Sequence, residues 1–216
     1  MEGTRRLPQP TQLAEFLAPL LGMPAANWQA LDGAALLHWV VNSPAPLALV
    51  MAPDRLEIDA PAVPLLPALD AATSLVPWPR LDNAFAALPH WQGQAAETGA
   101  LARRQGDATL TTLGRQPLLQ RRLARLGELV AYALEDETAF PPPGRASAHA
   151  LAPGRGRALV ETARGLLMHE VAVNNDRVTD YVIVAPTEWN FHPQGNLPRW
   201  AKGLAVTPER PLAQTA

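Results

Sequence analysis

The 216-residue sequence contains no cysteine. A chain without thiols forms no disulfides, has no thiolate nucleophile and holds no iron-sulfur cluster through cysteine. It also lacks the thiolate ligands that nickel and iron often take in proteins. These classes of site are therefore excluded for this sequence.

Positive charge and long apolar runs are also scarce. The 18 Lys and Arg residues are outnumbered by 20 Asp and Glu, for a formal net charge of -2, so phosphate-rich nucleic acid is a poor partner. The longest apolar candidate, Ala34 to Met51, is broken by His38, Asn42 and two prolines, and no apolar leader segment opens the chain. We expect a cytoplasmic protein that does not enter a membrane.

Common catalytic motifs are missing as well. No serine lies in a nucleophile elbow and no glycine-rich loop follows a predicted strand, so hydrolase and nucleotide-binding functions have no support. A metal site built from His90, Glu97, His169, Glu188 and His192 is conceivable, but these residues show none of the tight spacings of metal-binding motifs.

The sequence is 48% hydrophobic and 18% charged, which is enough to bury a core. Apolar periodicity predicts several helices and, in the first half, two short strands. The first predicted helix has Thr11 as its N-cap and ends at Gly22, and the second runs from Trp28 to Val41. A third is predicted to start within Ala96 to Arg104, and a fourth runs from Gln116 to Asp136. The two predicted strands are Leu47 to Met51 and Arg55 to Asp59.

Prolines recur from Pro61 to Pro89, a pattern typical of short helical turns or an irregular connection. We therefore predict an N-terminal region of helices and short strands (residues 1–85), a second region (86–206) and a disordered tail (207–216).

A β-hairpin is predicted near the end of the chain. Residues 165–173 and 177–184 are rich in aliphatic and β-branched side chains, and they flank Asn174-Asn175-Asp176, which tolerates left-handed backbone conformations. Pairing centred on Asn175 places position 164 opposite about 186, whereas residues 144–157 are predicted to form a loop.

This hairpin carries a family resemblance. Arg164-Gly165 with His169 five residues after the arginine, and Pro186-Thr187-Glu188-Trp189-Asn190 after the returning strand, resemble the large subunit of nickel-iron hydrogenases. A weaker match is the segment from Ala96 to Arg103. The longer string from Ala185 to Pro193 is most similar to accessory proteins of the HupK/HoxV type, which are large-subunit paralogues associated with hydrogenase maturation.

The resemblance implies cofactor-binding roles for three residues, and the position of His192 in a turn suggests a fourth. Arg164, Pro186 and Thr187 correspond to positions that surround an iron with cyanide and carbonyl ligands, and His192, between Asn190 and Pro193, is placed to reach Glu188 or an incoming metal group. The family's two Cys-x-x-Cys motifs are absent, and Ala163 replaces the proline that usually precedes the arginine.

Each of these residues also has an ordinary structural explanation. Arg164 alone would pair with Glu161 or Glu170 on the surface, and Thr187 would be the N-cap of a turn. Trp189 and Phe191 are expected in the core. His169 is expected to be a hydrogen-bonded core histidine that faces away from Glu170.

These observations predict an α+β fold in which helices pack on a small antiparallel sheet, as in part of a hydrogenase large subunit. The resemblance implies a non-enzymatic maturation or scaffold protein without a tightly bound cofactor, which transiently holds the iron-dicyano-carbonyl group. Its partners would be hydrogenase maturation proteins and hydrogenase subunits. The alternative is a structural paralogue that binds hydrogenase subunits or chaperones and never contacts metal.

Overall fold

A computed structural model of the chain describes residues 9–52, 62–69, 78–114, 116–136 and 146–203. The chain divides into two compact units, one of residues 1–57 and 103–143 and one of residues 58–102 and 144–216. Helices and an antiparallel sheet both occur, which confirms the predicted α+β class. The predicted strand Arg55 to Asp59 and the tail 207–216 lie outside the described residues.

The helices are α1 Pro10–Leu21, α2 Ala25–Gln29, α3 Gly33–Asn42, α4 Pro46–Met51, α5 Asn83–Ala87, α6 Ala100–Arg103, α7 Ala108–Thr111, α8 Pro117–Ala133, α9 Pro186–Asn190 and α10 Asn196–Gly203. The strands are β1 Ala146–Ala152, β2 Arg155–Thr162, β3 Gly165–Asn174 and β4 Arg177–Val184. Among the described residues, none of these helices is long and apolar enough to cross a lipid bilayer.

The first unit is helical. The apolar residues that follow helical periodicity in the predicted helix Gln116 to Asp136 form one stripe of α8. All five are buried: Leu119, Leu123, Leu126, Val130 and Ala133. Trp39 of α3 donates from Nε1 to the Leu21 carbonyl at the end of α1 at 2.9 Å. This bond satisfies a carbonyl that the helix itself leaves unpaired.

Three predictions for the first unit were wrong in detail. Pro10 occupies the first turn of α1, so Gln9 and not Thr11 is the N-cap. Trp28 and Val41 lie in two helices, since Asp32 interrupts the run and caps α3 by accepting from the Ala35 N–H at 2.8 Å. Residues 47–51 belong to α4 and not to a strand, because Pro46 begins a helix there.

The second unit is built on one four-stranded meander of order β1-β2-β3-β4, antiparallel throughout. The predicted hairpin is confirmed as β3 and β4. The loop predicted for residues 144–157 was wrong, since β1 and the start of β2 lie there, joined through Gly154 at φ 71°. β1 has no β-branched residue, so its strand conformation comes from pairing with β2 and not from propensity.

One face of the sheet packs into the core of this unit. Its fully buried side chains include Leu159, Met168 and Val184, which the strand register sets side by side, together with Trp189 of α9. The residues between them on each strand face the other way. Glu170 is therefore on the core face and His169 on the opposite one. The two residues alternate as predicted, but the expectation that His169 is a core histidine was wrong.

A buried ionic cluster interrupts this apolar face. Glu170, with its side chain 1% exposed, accepts from Arg155 Nε at 2.6 Å and from Arg157 Nη2 at 2.5 Å. Arg157 also donates to the carbonyls of Trp78 and Pro79, and the Leu81 N–H donates to Glu170. The cluster therefore fixes the segment 78–81 against the sheet.

The cluster sets the protonation of Glu170. Burial alone would raise the pKa of this carboxyl, but the hydrogen bonds from Arg157 and Arg155 outweigh it, and the pKa is lowered from its ordinary value. A carboxyl whose pKa is lower in the folded chain contributes stability above its unfolded pKa, about 4.3. That stability is lost as the pH falls through the lower pKa of the folded state.

We predict that Glu170→Gln lowers the free energy of unfolding at pH 7 by about 3 kcal/mol, because two arginines lose their charged partner in a buried site. Its unfolding free energy should also fall less steeply than that of the wild type below about pH 4.3. Urea titrations at several pH values measure both effects. Glu188→Gln, at an exposed position, is the control; a Glu170→Gln variant as stable as this control would contradict the account.

Candidate functional site

The three sequence segments that carry the family resemblance meet at one end of the sheet. Thr98 accepts from the Leu166 N–H through its hydroxyl at 2.8 Å, and the Thr98 N–H donates to Asn190 Oδ1 at 3.0 Å. Asn190 Nδ2 in turn donates to the Arg164 carbonyl at 3.3 Å. Residues 98, 164–166 and 190 are thus joined in a closed polar ring, which we call the Thr98 ring.

Two glycines allow this close approach. A Cβ on Gly165 would lie 2.4 Å from Thr98 Cγ2 and 2.9 Å from the Gly99 nitrogen, and a Cβ on Gly99 would lie 3.2 Å from the Arg164 carbonyl oxygen. Both have positive φ values, 126° and 124°, which favour glycine. The Arg-Gly and Thr-Gly pairs of the sequence are therefore required by packing at this point.

A second polar group braces the same segment. Asn196 donates to Glu97 Oε2 at 2.6 Å and accepts from the Val63 N–H at 2.9 Å. The backbone of Glu97 pairs with the strand-like residues beside Leu65, through Glu97 N–H to the Pro64 carbonyl at 2.9 Å. The segment before Thr98 is therefore held by the Asn196 side chain and by the backbone of Pro64.

Arg164, Pro186 and Thr187 follow the ends of the hairpin strands. Arg164 lies in the turn between β2 and β3 and is exposed, Pro186 is buried as the first residue of α9, and Thr187 is the exposed second residue of α9. The N-cap of α9 is Ala185, so the capping role considered for Thr187 was wrong. Because β3 starts and β4 ends at the same end of the sheet, all three residues belong to that end.

The predicted register of the hairpin was wrong by two residues. Asn174 pairs with Arg177, so the turn is the pair Asn175-Asp176, and a shift between Ala172 and Val173 adds a further residue. Centring on Asn175 would set Met168 opposite position 182, whereas Met168 pairs with Val184. The chain then enters α9, so the ladder does not extend to positions 164 and 187. Contact of the Arg164 and Thr187 side chains with one common ligand stays a prediction.

The Arg164 guanidinium makes no hydrogen bond or ion pair within the described part of the chain. The surface pair with Glu170 was wrong, since Glu170 is buried with Arg155 and Arg157. Glu161 is also buried and accepts from the Leu69 N–H. A cation with five donors therefore stands exposed beside the Thr98 ring.

His192 is placed differently from the other three. It follows α9, is 7% exposed, and accepts from the Gln194 N–H through Nδ1 at 3.0 Å. Burial, and to a smaller extent the charge of His90, lowers its pKa. Both histidines line a cavity of about 470 Å³ whose lining includes none of Arg164, Pro186 and Thr187.

The remaining candidates are not assembled into a metal centre. Within the described ranges, no three His, Asp or Glu side chains are grouped so as to hold a metal ion. His169 Nδ1 is 2.7 Å from the Tyr181 hydroxyl, on the sheet face opposite the core. Trp189 is fully buried as expected, whereas Phe191 is 64% exposed, so its assignment to the core was wrong.

Sequence comparison places these elements in a known family context. Residues 116–203 match the family model described as "Nickel-dependent hydrogenase". The chain is 36% identical over 131 residues to the "Hydrogenase expression/formation protein HupK" of Bradyrhizobium diazoefficiens, covering 59% of this chain and 36% of that protein. It is 39% identical over 154 residues to the corresponding HoxV protein of Cupriavidus necator, covering 66% and 39% respectively.

The resemblance read from the sequence is thereby confirmed over its matched part, while the chain spans little more than a third of the length of these relatives. Among solved structures, the [NiFeSe]-hydrogenase of Dm. baculatum is 21% identical, with a TM-score of 0.36, over 54% of this chain and 30% of that one.

We predict that Thr98→Val lowers the free energy of unfolding by about 1–3 kcal/mol, because the buried Leu166 N–H loses its acceptor. Thr98→Ser keeps the hydroxyl and should lose less. Urea unfolding measures the difference, and hydrogen exchange at the Leu166 amide locates it. Equal stability of the Val and Ser variants would show that the Thr98 ring does not fix this end of the sheet.

Proposed function

We propose that this chain is a hydrogenase maturation protein, which holds the iron-dicyano-carbonyl group transiently as cargo on its way to a nickel-iron hydrogenase. The observation that carries the proposal is the similarity to the HupK and HoxV proteins, whose names place them in hydrogenase expression and formation. The meeting of the three family segments at the Thr98 ring supports it, because hydrogen bonds join the parts that resemble the large subunit to one another.

The chemistry of the available side chains suits such a cargo. Without cysteine the chain offers no thiolate bond, so the group would be held through its own ligands. Cyanide nitrogens accept hydrogen bonds, and the exposed Arg164 guanidinium and Thr187 hydroxyl are donors at one end of the sheet. Pro186 is buried at the start of α9 and would fix the helix that carries Thr187.

Hydrogen-bonded cargo can be released without breaking a metal–sulfur bond, which fits a transfer step. We therefore assign no enzymatic activity to the chain, and its partners would be hydrogenase maturation proteins and the hydrogenase subunits that receive the group. The competing function is a structural paralogue that binds those partners without cargo. It is favoured by the same similarity but gives no role to the Arg164 side chain, which pairs with none of the described residues.

We predict that a host lacking this protein makes hydrogenase large subunit at the normal level but with a reduced iron content, because cargo delivery fails. The measurements are immunoblotting of the large subunit and metal analysis after its purification, at high and at low oxygen. A fully metallated and active large subunit in the deletion host would contradict the maturation role.

Complementation of that host with variants separates cargo binding from a structural role. Arg164→Ala should leave the iron content at the level of the deletion host, although its unfolding free energy changes by less than about 0.5 kcal/mol, as expected for an exposed side chain. Arg177→Ala, another exposed arginine at the far end of the hairpin, is the matched control and should restore the iron content. Full restoration by Arg164→Ala would favour the structural paralogue.

A further inference from the structure

His192 has a defined tautomer in this structure. The Gln194 backbone N–H can only donate, and it points at Nδ1 at 3.0 Å. Nδ1 is therefore an acceptor, and the proton of the neutral ring must be on Nε2. Because burial lowers the pKa of His192 and the charge of His90 adds to this effect, the ring stays neutral near pH 7 and keeps its Nε2–H.

That Nε2–H has no acceptor among the described residues. Nε2 is not one of the polar atoms that are both inaccessible to solvent and without a partner. The residue as a whole is nevertheless only 7% exposed. The imidazole lines the cavity that it shares with His90. The buried imidazole of His192 thus presents its Nε2–H, which has no acceptor among the described residues, to this cavity.

The surroundings of Nε2 favour a hydrogen-bond acceptor that is neutral or negatively charged. None of the described residues that line the cavity is a carboxylate, and its other walls include the apolar Leu88 and Ala95. A Cβ built on Gly93 would meet nothing within 4 Å, so the wall at this point is open. A donor in apolar surroundings binds an acceptor more strongly than it would in water.

The same tautomer argues against direct metal ligation by His192. A histidine that binds metal through Nε2 normally donates its Nδ1–H to another group. Here Nδ1 already accepts, so Nε2 offers a proton and not a lone pair. We therefore expect His192 to contact the ligands of an incoming metal group and not the metal itself.

We propose that His192 is a hydrogen-bond donor for a cyanide nitrogen of the iron-dicyano-carbonyl cargo, in the cavity shared with His90. The identity of the ligand rests on the proposed function, whereas the donor and its cavity do not. Arg164 and Thr187 are not among the described residues that line this cavity.

The chain allows an almost isosteric test. Asn places its Oδ1 near the position of the imidazole Nδ1, so His192→Asn can still accept from the Gln194 N–H while the Nε2–H donor is removed. The probe is hexacyanoferrate(II), whose cyanide nitrogens are acceptors, added to the full-length, ¹⁵N-histidine-labelled protein. His169→Asn, which alters another partly buried histidine of the same unit, is the control.

In the wild type we expect the Nε2–H tautomer for His192 at pH 7 and a shift of its ring resonances on titration with the probe. His192→Asn should bind roughly tenfold more weakly by calorimetry, the loss expected for one hydrogen bond to a charged acceptor, and His169→Asn should bind like the wild type. An Nδ1–H tautomer, unchanged affinity in His192→Asn, or an equal response to sulfate at matched ionic strength would overturn the proposal.

The outcome can be separated from that of the proposed function. If the wild-type chain restores the iron content of the deletion host but the probe does not shift His192, the cyanide subsite is wrong and the maturation role stands. If the probe binds at His192 but the deletion host already makes fully metallated enzyme, the donor site stands and the maturation role is wrong.

Discussion

The hydroxyl of Thr98, which accepts the Leu166 N–H at 2.8 Å, is the contact on which the geometry of the candidate site depends. It can form only because Gly165 has no side chain to collide with Thr98. Asn190 closes the ring by binding both the Thr98 N–H and the Arg164 carbonyl. One short polar ring therefore fixes the backbone of Arg164 and the end of α9, and it leaves the Arg164 guanidinium exposed.

The ionic cluster of Glu170 with Arg155 and Arg157 has a different task. It lies further along β3 on the core face and holds residues 78–81 against the sheet. Such a cluster fixes position more than it adds stability, since most of its attraction offsets the cost of removing three charges from water. The sheet is thus anchored on its core face, and the functional candidates lie at one end of it and beyond α9.

The sequence predicted this arrangement where local signals were strong. The hairpin of β3 and β4 follows from β-branched residues around a turn that tolerates positive φ, and the buried stripe of α8 follows from helical periodicity. β1 was missed because four of its seven residues are alanine, so only its pairing with β2 makes it a strand. Residues 47–51 form an apolar run too short for its periodicity to separate helix from strand.

The sequence predicted some residues of the candidate site but not the contacts that hold them together. Arg164, Pro186 and Thr187 were found through family motifs, and a correct hairpin brought them to one end of the sheet. Thr98 and Asn190 lie within those motifs, but their contact joins positions 92 residues apart. No local pattern reports such a contact. The tautomer of His192 likewise depends on one backbone N–H, which becomes apparent only in three dimensions.

Infrared spectroscopy of this protein, purified from cells that produce the hydrogenase maturation system, tests the central claim most directly. The stretching bands of cyanide and of carbon monoxide bound to iron lie apart from those of amide and carboxyl groups, so they report bound cargo without any assumption about the site. The account predicts both bands in the wild-type protein and their loss in Arg164→Ala. Their absence from the wild type, in cells where the hydrogenase itself acquires its iron group, would contradict the claim that this chain carries the cargo.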